Sequence, residues 1–152
     1  MLIPGAYANA EQVLTNDESS DRSSINKSVH ATFACMYDNG YAYKEAVVKV
    51  TGNYVVDPEN DIIVSASNPT AALLSFEDPF SFNGYITVIS NYAIIDRARS
   101  TVTFYVTLDF HTVPLRNVTS PLDNHGRYTL TITADRNGFV SRTPSSGYAY
   151  PN

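Results

Sequence analysis

The sequence has no tryptophan, a single cysteine and few charges, with Asp, Glu, Lys and Arg making up 16% of its 152 residues. Each shortage removes a class of protein. One cysteine, Cys35, cannot close an internal disulfide, so this is not a disulfide-built secreted module. Without tryptophan, the strongest stacking residue for sugars is missing. Ten Lys/Arg stand against fifteen Asp/Glu, for a net charge of -5. No basic stripe is available to neutralise phosphates, so nucleic acid is not an expected partner. The same shortage argues against anionic lipid surfaces. No apolar run approaches the ~20 residues that cross a bilayer, so no membrane insertion is expected. There is no Gly-x-Ser-x-Gly elbow and no His-Glu-x-x-His pair.

What is present favours strands. Apolar residues make up 43% of the chain and aromatics 12%, which suits one domain with a substantial core. From Ser28 onward the apolar residues recur with period two. Ala31, Phe33, Cys35 and Tyr37 share one predicted face, as do Ala46, Val48 and Val50. Val102, Phe104, Val106, Leu108 and Phe110 form the clearest such row, and Tyr128, Leu130, Ile132 and Ala134 another. A half-buried antiparallel strand needs that alternation. In a shorter run, Ile62, Val64 and Ala66 are expected to face inward. Three of the seven glycines follow asparagine, at Asn39-Gly40, Asn83-Gly84 and Asn137-Gly138. Asn-Gly tolerates the positive φ of a tight hairpin turn, so three hairpins are predicted there. Asp57-Pro58-Glu59-Asn60 reads as a further turn, with Asp57 capping the bend. The expected fold is therefore all-β: an antiparallel β-sandwich of seven to nine strands with flexible termini, immunoglobulin-like in outline. The Cys…Trp…Cys mark of antibody-type domains is absent.

The ends differ from the middle. Ala8-Asn9-Ala10 matches the small-x-small pattern of a signal-peptide cleavage site, and Pro4-Gly5 supplies helix breakers before it. Residues 1–10 are thus expected to be the remnant of an export signal, since the seven residues before Ala8 are too few for a basic and an apolar region. Residues 11–27 read as a polar flexible leader, 28–143 as the β-sandwich domain and 144–152 as a flexible tail rich in Pro, Ser and Gly. The corresponding location is secreted or at the cell surface, of bacterial type.

Few groups here suggest chemistry. Cys35 falls on an apolar face, where a thiol is buried and inert. Asp109 and His111 lie two apart on one outward face, the spacing of a carboxylate that orients an imidazole; His30 and His125 have no such neighbour. Asp57, Glu59 and Asp61 form an acidic turn of the kind that supplies oxygen ligands to calcium. Asn26-Lys27-Ser28 and Asn117-Val118-Thr119 match the glycosylation pattern, which has meaning only in a eukaryotic source. The eleven tyrosines are the most unusual feature. Tyr41, Tyr43 and Tyr105 are the expected binding residues, because exposed tyrosine offers apolar area with a polar tip.

These readings lead to a non-catalytic secreted or cell-surface module with a binding or structural role and no cofactor. Its expected partner is a protein or glycan at the cell surface. A self-assembling subunit of a filament, coat or viral particle is the alternative. In that case a terminal segment would add as a strand to a neighbour's sheet.

Overall fold

A computed structural model describes residues 23–40, 42–76, 81–114, 124–145 and 147–152. The signal-like stretch, Tyr41, the side chain of His125 and the Asn117 sequon lie outside the described residues. Among the described residues there are nine strands and no helix: β1 (Ile25–Asp38), β2 (Tyr43–Asp57), β3 (Ile62–Ala66), β4 (Thr70–Phe76), β5 (Ser81–Asp96), β6 (Thr101–Pro114), β7 (Asn124–Asp135), β8 (Gly138–Thr143) and β9 (Tyr148–Ala149).

The strands form two sheets. In the first the order is β3-β2-β1-β9, with β4 also paired to β2; in the second it is β5-β6-β7-β8. Pairing is antiparallel except between β1 and β9. One edge of β2 serves two partners, β4 along Ala46–Thr51 and β3 along Tyr54–Asp57. Register shifts at Val47/Val48 and Val55/Val56 interrupt those ladders. Such bulges bend a strand and increase its twist, and the first sheet curls into a half-barrel.

The inner faces of both sheets meet in one core. All four long apolar rows expected from the alternation are buried there, from Ala31–Tyr37 through Tyr128–Ala134. Two fully buried tyrosines tie the layers together. Tyr54 of β2 donates its hydroxyl to the carbonyl of Asp135 on β7 at 2.8 Å, and Tyr128 of β7 donates to Met36 on β1 at 2.6 Å. Buried phenols need such partners, and here each acceptor belongs to the opposite sheet.

Four expectations are corrected. Asn83-Gly84 is not a turn: both residues lie within β5, paired with Val113 and Thr112 of β6. Glycine is required at 84 because the ring of Phe76 lies over it; a Cβ there would come within 2.7 Å of that ring. At the β7–β8 hairpin the loop is Arg136-Asn137, and Gly138 follows it with φ +133°, paired with Asp135. Asp135 Oδ1 accepts from the backbone N–H of Asn137 and of Gly138, so an aspartate-based turn replaces the expected Asn-Gly centre. In β3 the buried residues are Ile63 and Ser65; of the three expected to face inward, Ala66 packs against the core, whereas Ile62 and Val64 do not. The shift at Val55/Val56 sets that register.

The fourth correction concerns the segment expected as a flexible tail. It is docked: β9 pairs with Ala34 and Cys35, and Ala149 is buried. Asn152 donates its backbone N–H to Arg127 at 2.7 Å and its side-chain amide to Thr129 at 2.9 Å. The segment thus joins the first sheet while gripping β7 of the second.

Candidate interaction surface

The outer face of the second sheet carries the most distinctive exposed chemistry. Alternation sends Thr101, Thr103, Tyr105, Thr107, Asp109 and His111 of β6 outward, opposite the buried row from Val102 to Phe110. Thr129, Thr131 and Thr133 of β7 continue the face. Thr103 and Thr133 share a side-chain hydrogen bond at 3.0 Å across the strands. Two aromatic pairs stand on this threonine ground. Tyr92 of β5 stacks on Tyr105 of β6 with ring centres 4.8 Å apart and planes 14° from parallel. Tyr85 stacks on His111 at 4.9 Å and 13°. Tyr85, Tyr92 and neighbouring Ile94 are each about half exposed.

A bulge makes the face. Tyr85 and Tyr92 are seven residues apart, an odd spacing that strict alternation would place on opposite sides. The register shift between Val88 and Ser90 inserts one residue into β5, so both tyrosines emerge on the same side opposite His111 and Tyr105. The sequence reading found Tyr105 but missed Tyr85 and Tyr92, because nothing in "YITVISNY" marks the extra residue.

Between the aromatic pairs lies an ion pair. Arg127 grips Asp109 through two hydrogen bonds, Nε to Oδ1 at 2.9 Å and Nη2 to Oδ2 at 3.1 Å. Hydrogen bonding from Arg127 is the main reason that the Asp109 carboxyl is held below its ordinary pKa, with the Arg127 and His111 charges adding to it against desolvation. Both oxygens of Asp109 are therefore engaged by Arg127, while the imidazole of His111 lies against Tyr85. The pair read from the sequence as a carboxylate orienting an imidazole is directed to other partners.

The remaining expected residues lie elsewhere. Tyr43 begins β2 in the first sheet and meets Tyr150 edge-on with ring centres 6.4 Å apart. Tyr43 and Tyr105 thus belong to different sheets and do not form one patch. In the acidic turn, Asp57 Oδ1 accepts from the backbone N–H of Glu59 and Asn60, and Oδ2 accepts from the Asn60 amide at 2.7 Å. Asp61, with φ +61°, pairs instead with Arg136 of the β7–β8 loop at 2.6 Å. These carboxylates tie down a turn and link it to the other sheet. Among the described residues no group of three or more His, Cys, Asp or Glu side chains is arranged to hold a metal. Cys35 is buried beside the docked β9, and desolvation pushes its thiol up to about 12.

No family model, curated protein or solved structure matches the chain. Its function must therefore be argued from its own surface.

Proposed function

We propose that this is a non-catalytic module, secreted or displayed at the cell surface, that binds a protein through the outer face of its second sheet. The observation that carries the reading is the pair of stacked aromatic couples, Tyr92–Tyr105 and Tyr85–His111, exposed on the same outer face, with the Asp109–Arg127 pair between them, of a sheet whose inner face is core. Aromatics held rigidly by a scaffold bind at little entropic cost, and tyrosine is enriched where binding energy concentrates. Stacking covers one face of each ring, leaving edges and phenolic tips outward. That presentation suits a protein surface better than the flat CH-rich face of a sugar. Export is supported by the Ala8-Asn9-Ala10 pattern preceded by Pro4-Gly5.

The two facing sheets are read as a β-sandwich, and any immunoglobulin likeness is limited to the two packed layers. Immunoglobulin sheets interleave early and late strands, whereas β1 to β4 stay in one sheet here and β5 to β8 in the other.

The test compares the intact protein with Tyr92→Ser/Tyr105→Ser and with a control, Leu74→Ser, on exposed β4. Proteins retained from the source's extracellular fraction are identified, purified and titrated. The reading expects a partner whose affinity falls at least about tenfold with the tyrosine pair and not with the control. Equal affinity for all three proteins would refute it. Retention on a glycan array, lost with the same pair, would reassign the face to sugars. Fractionation of source cells with an antibody to the chain tests the location, and a purely cytoplasmic signal contradicts it.

One observation favours the second reading, a self-assembling subunit. A terminal segment already performs strand addition within the chain, since β9 lies parallel to β1 at Ala34 and Cys35. The same segment could occupy that edge in a neighbouring copy, a low-cost route to assembly. Light scattering that reports only monomer across a hundredfold concentration range rules this reading out.

A further inference from the structure

A second surface lies far from the aromatic face in chemistry, at the seam where the first strand meets the last hairpin. β1 has β2 on one side; on the other β9 covers only Ala34 and Cys35. Among the described residues, no strand pairs with that edge beside Val29–Phe33. The carbonyl of Thr32 already points that way, since it accepts from Arg142 Nη1 at 2.6 Å. Backbone groups of alternate residues share a direction, so His30 and Thr32 both turn their N–H and C=O toward this open side. A cleft of about 320 Å³ lies here, lined by His30, Ala31 and Thr32 of β1 and by Phe139 and Arg142 of β8.

We propose that this cleft takes an extended peptide carrying an acidic side chain, added as a strand to β1 beside His30 and flanked by β8. Three observations support that occupant. The same edge already accepts an extended segment at Ala34 and Cys35, so backbone pairing on this side of β1 is established within the fold. Arg142 is fixed but not exhausted. Its guanidinium lies 4.1 Å over the ring of Phe33 and gives Nη1 to Thr32 and Nε to Pro144. A guanidinium has five N–H groups, so donors remain for a carboxylate. Finally, in a chain of net charge -5 the lining of this cleft holds the cation Arg142 and no carboxylate. Half-exposed Phe139, which lines the cleft, supplies apolar contact for a neighbouring side chain of the peptide. Main-chain hydrogen bonds would give affinity and Arg142 would select the acid.

The test titrates the isotope-labelled full chain with two synthetic peptides, Thr-Val-Glu-Val-Thr and Thr-Val-Gln-Val-Thr. Amide shifts should be confined to residues 30–32 and 139–142. The glutamate peptide should bind about fivefold or more tightly than the glutamine peptide, as a charge-assisted bond exceeds a neutral one. Arg142→Lys should shrink that preference. His30→Pro should weaken both peptides, because it deletes an N–H that faces away from β2 and so spares the ladder. If His30→Pro does not fold, peptides N-methylated along their backbones probe the same pairing and should bind weakly. Equal binding of the acid and neutral peptides overturns the proposal. So do undiminished binding of the methylated peptides and the absence of binding at millimolar peptide. Shifts centred on Tyr92 and Tyr105 would move the peptide to the aromatic face and equally overturn it.

Discussion

The hydroxyl of Tyr128 donates to the carbonyl of Met36 at 2.6 Å, so a side chain of the second sheet holds the backbone of the first. Burial raises the pKa of this phenol, with Cys35 adding to the effect, and the group stays a donor at all ordinary pH. Tyr128→Phe keeps the ring and removes the bond. The expected loss is about 0.5–1.5 kcal/mol, rising toward the upper figure because a carbonyl is left without its partner. Chemical denaturation of the two proteins measures it, and equal midpoints would show that the bond does not hold the layers.

The Asp109–Arg127 pair makes stability depend on acid. The Asp109 carboxyl is depressed in the folded chain, so its stabilising effect is present above its ordinary unfolded value and vanishes as pH falls through the folded one. Asp109→Asn should therefore melt below the intact protein at neutral pH, and the gap should close on acidification below about pH 4. Thermal melts from pH 7 downward check this. A gap that widens in acid would contradict the assignment.

Cys35 reports on the docked last strand. Burial and a thiol pushed up to about 12 leave little thiolate at pH 8, so labelling by a thiol reagent should be far slower folded than unfolded. Removing residues 144–152 strips β9 from Ala34 and Cys35 and should speed labelling while circular dichroism still shows strands. Equal rates before and after removal would mean that the segment does not cover this edge.

Ser65 is a polar residue in an apolar place. Its Oγ is buried on the inward side of β3 and has no hydrogen-bond partner among the described residues. Ser65→Ala removes an unsatisfied hydroxyl and should raise stability, by up to about 1 kcal/mol. A lower denaturation midpoint would point to a partner for that hydroxyl.

Sequence alternation made most of the core legible. Rows such as Val102 to Phe110 and Tyr128 to Ala134 are strict and long, and the register shifts that touch their ends, at Asp109/His111 and Thr133/Ala134, do not reverse their faces. Bulges defeated the rest. One between Val55 and Val56 accompanies the burial of Ile63 and Ser65 in place of Ile62 and Val64, and another between Val88 and Ser90 brings Tyr85 and Tyr92 to one side. A single inserted residue leaves no compositional mark, so the aromatic face could not be seen before the register was known. Asn83-Gly84 misled for a different reason. Its glycine serves the close approach of Phe76 rather than a turn, and both demands select the same residue. The tail reads as polar and loop-like because β9 contributes only two paired residues, too few for periodicity to show.

The account rests on the outer face of the second sheet as the binding surface. Hydroxyl-radical footprinting of the complex with the retained partner tests this most directly, because exposed aromatic rings are oxidised unless covered. Tyr85, Tyr92 and Tyr105 should become protected on binding, while Phe139 and Leu74 keep their free-state oxidation. Unchanged oxidation of the three tyrosines in a saturated complex would contradict the account.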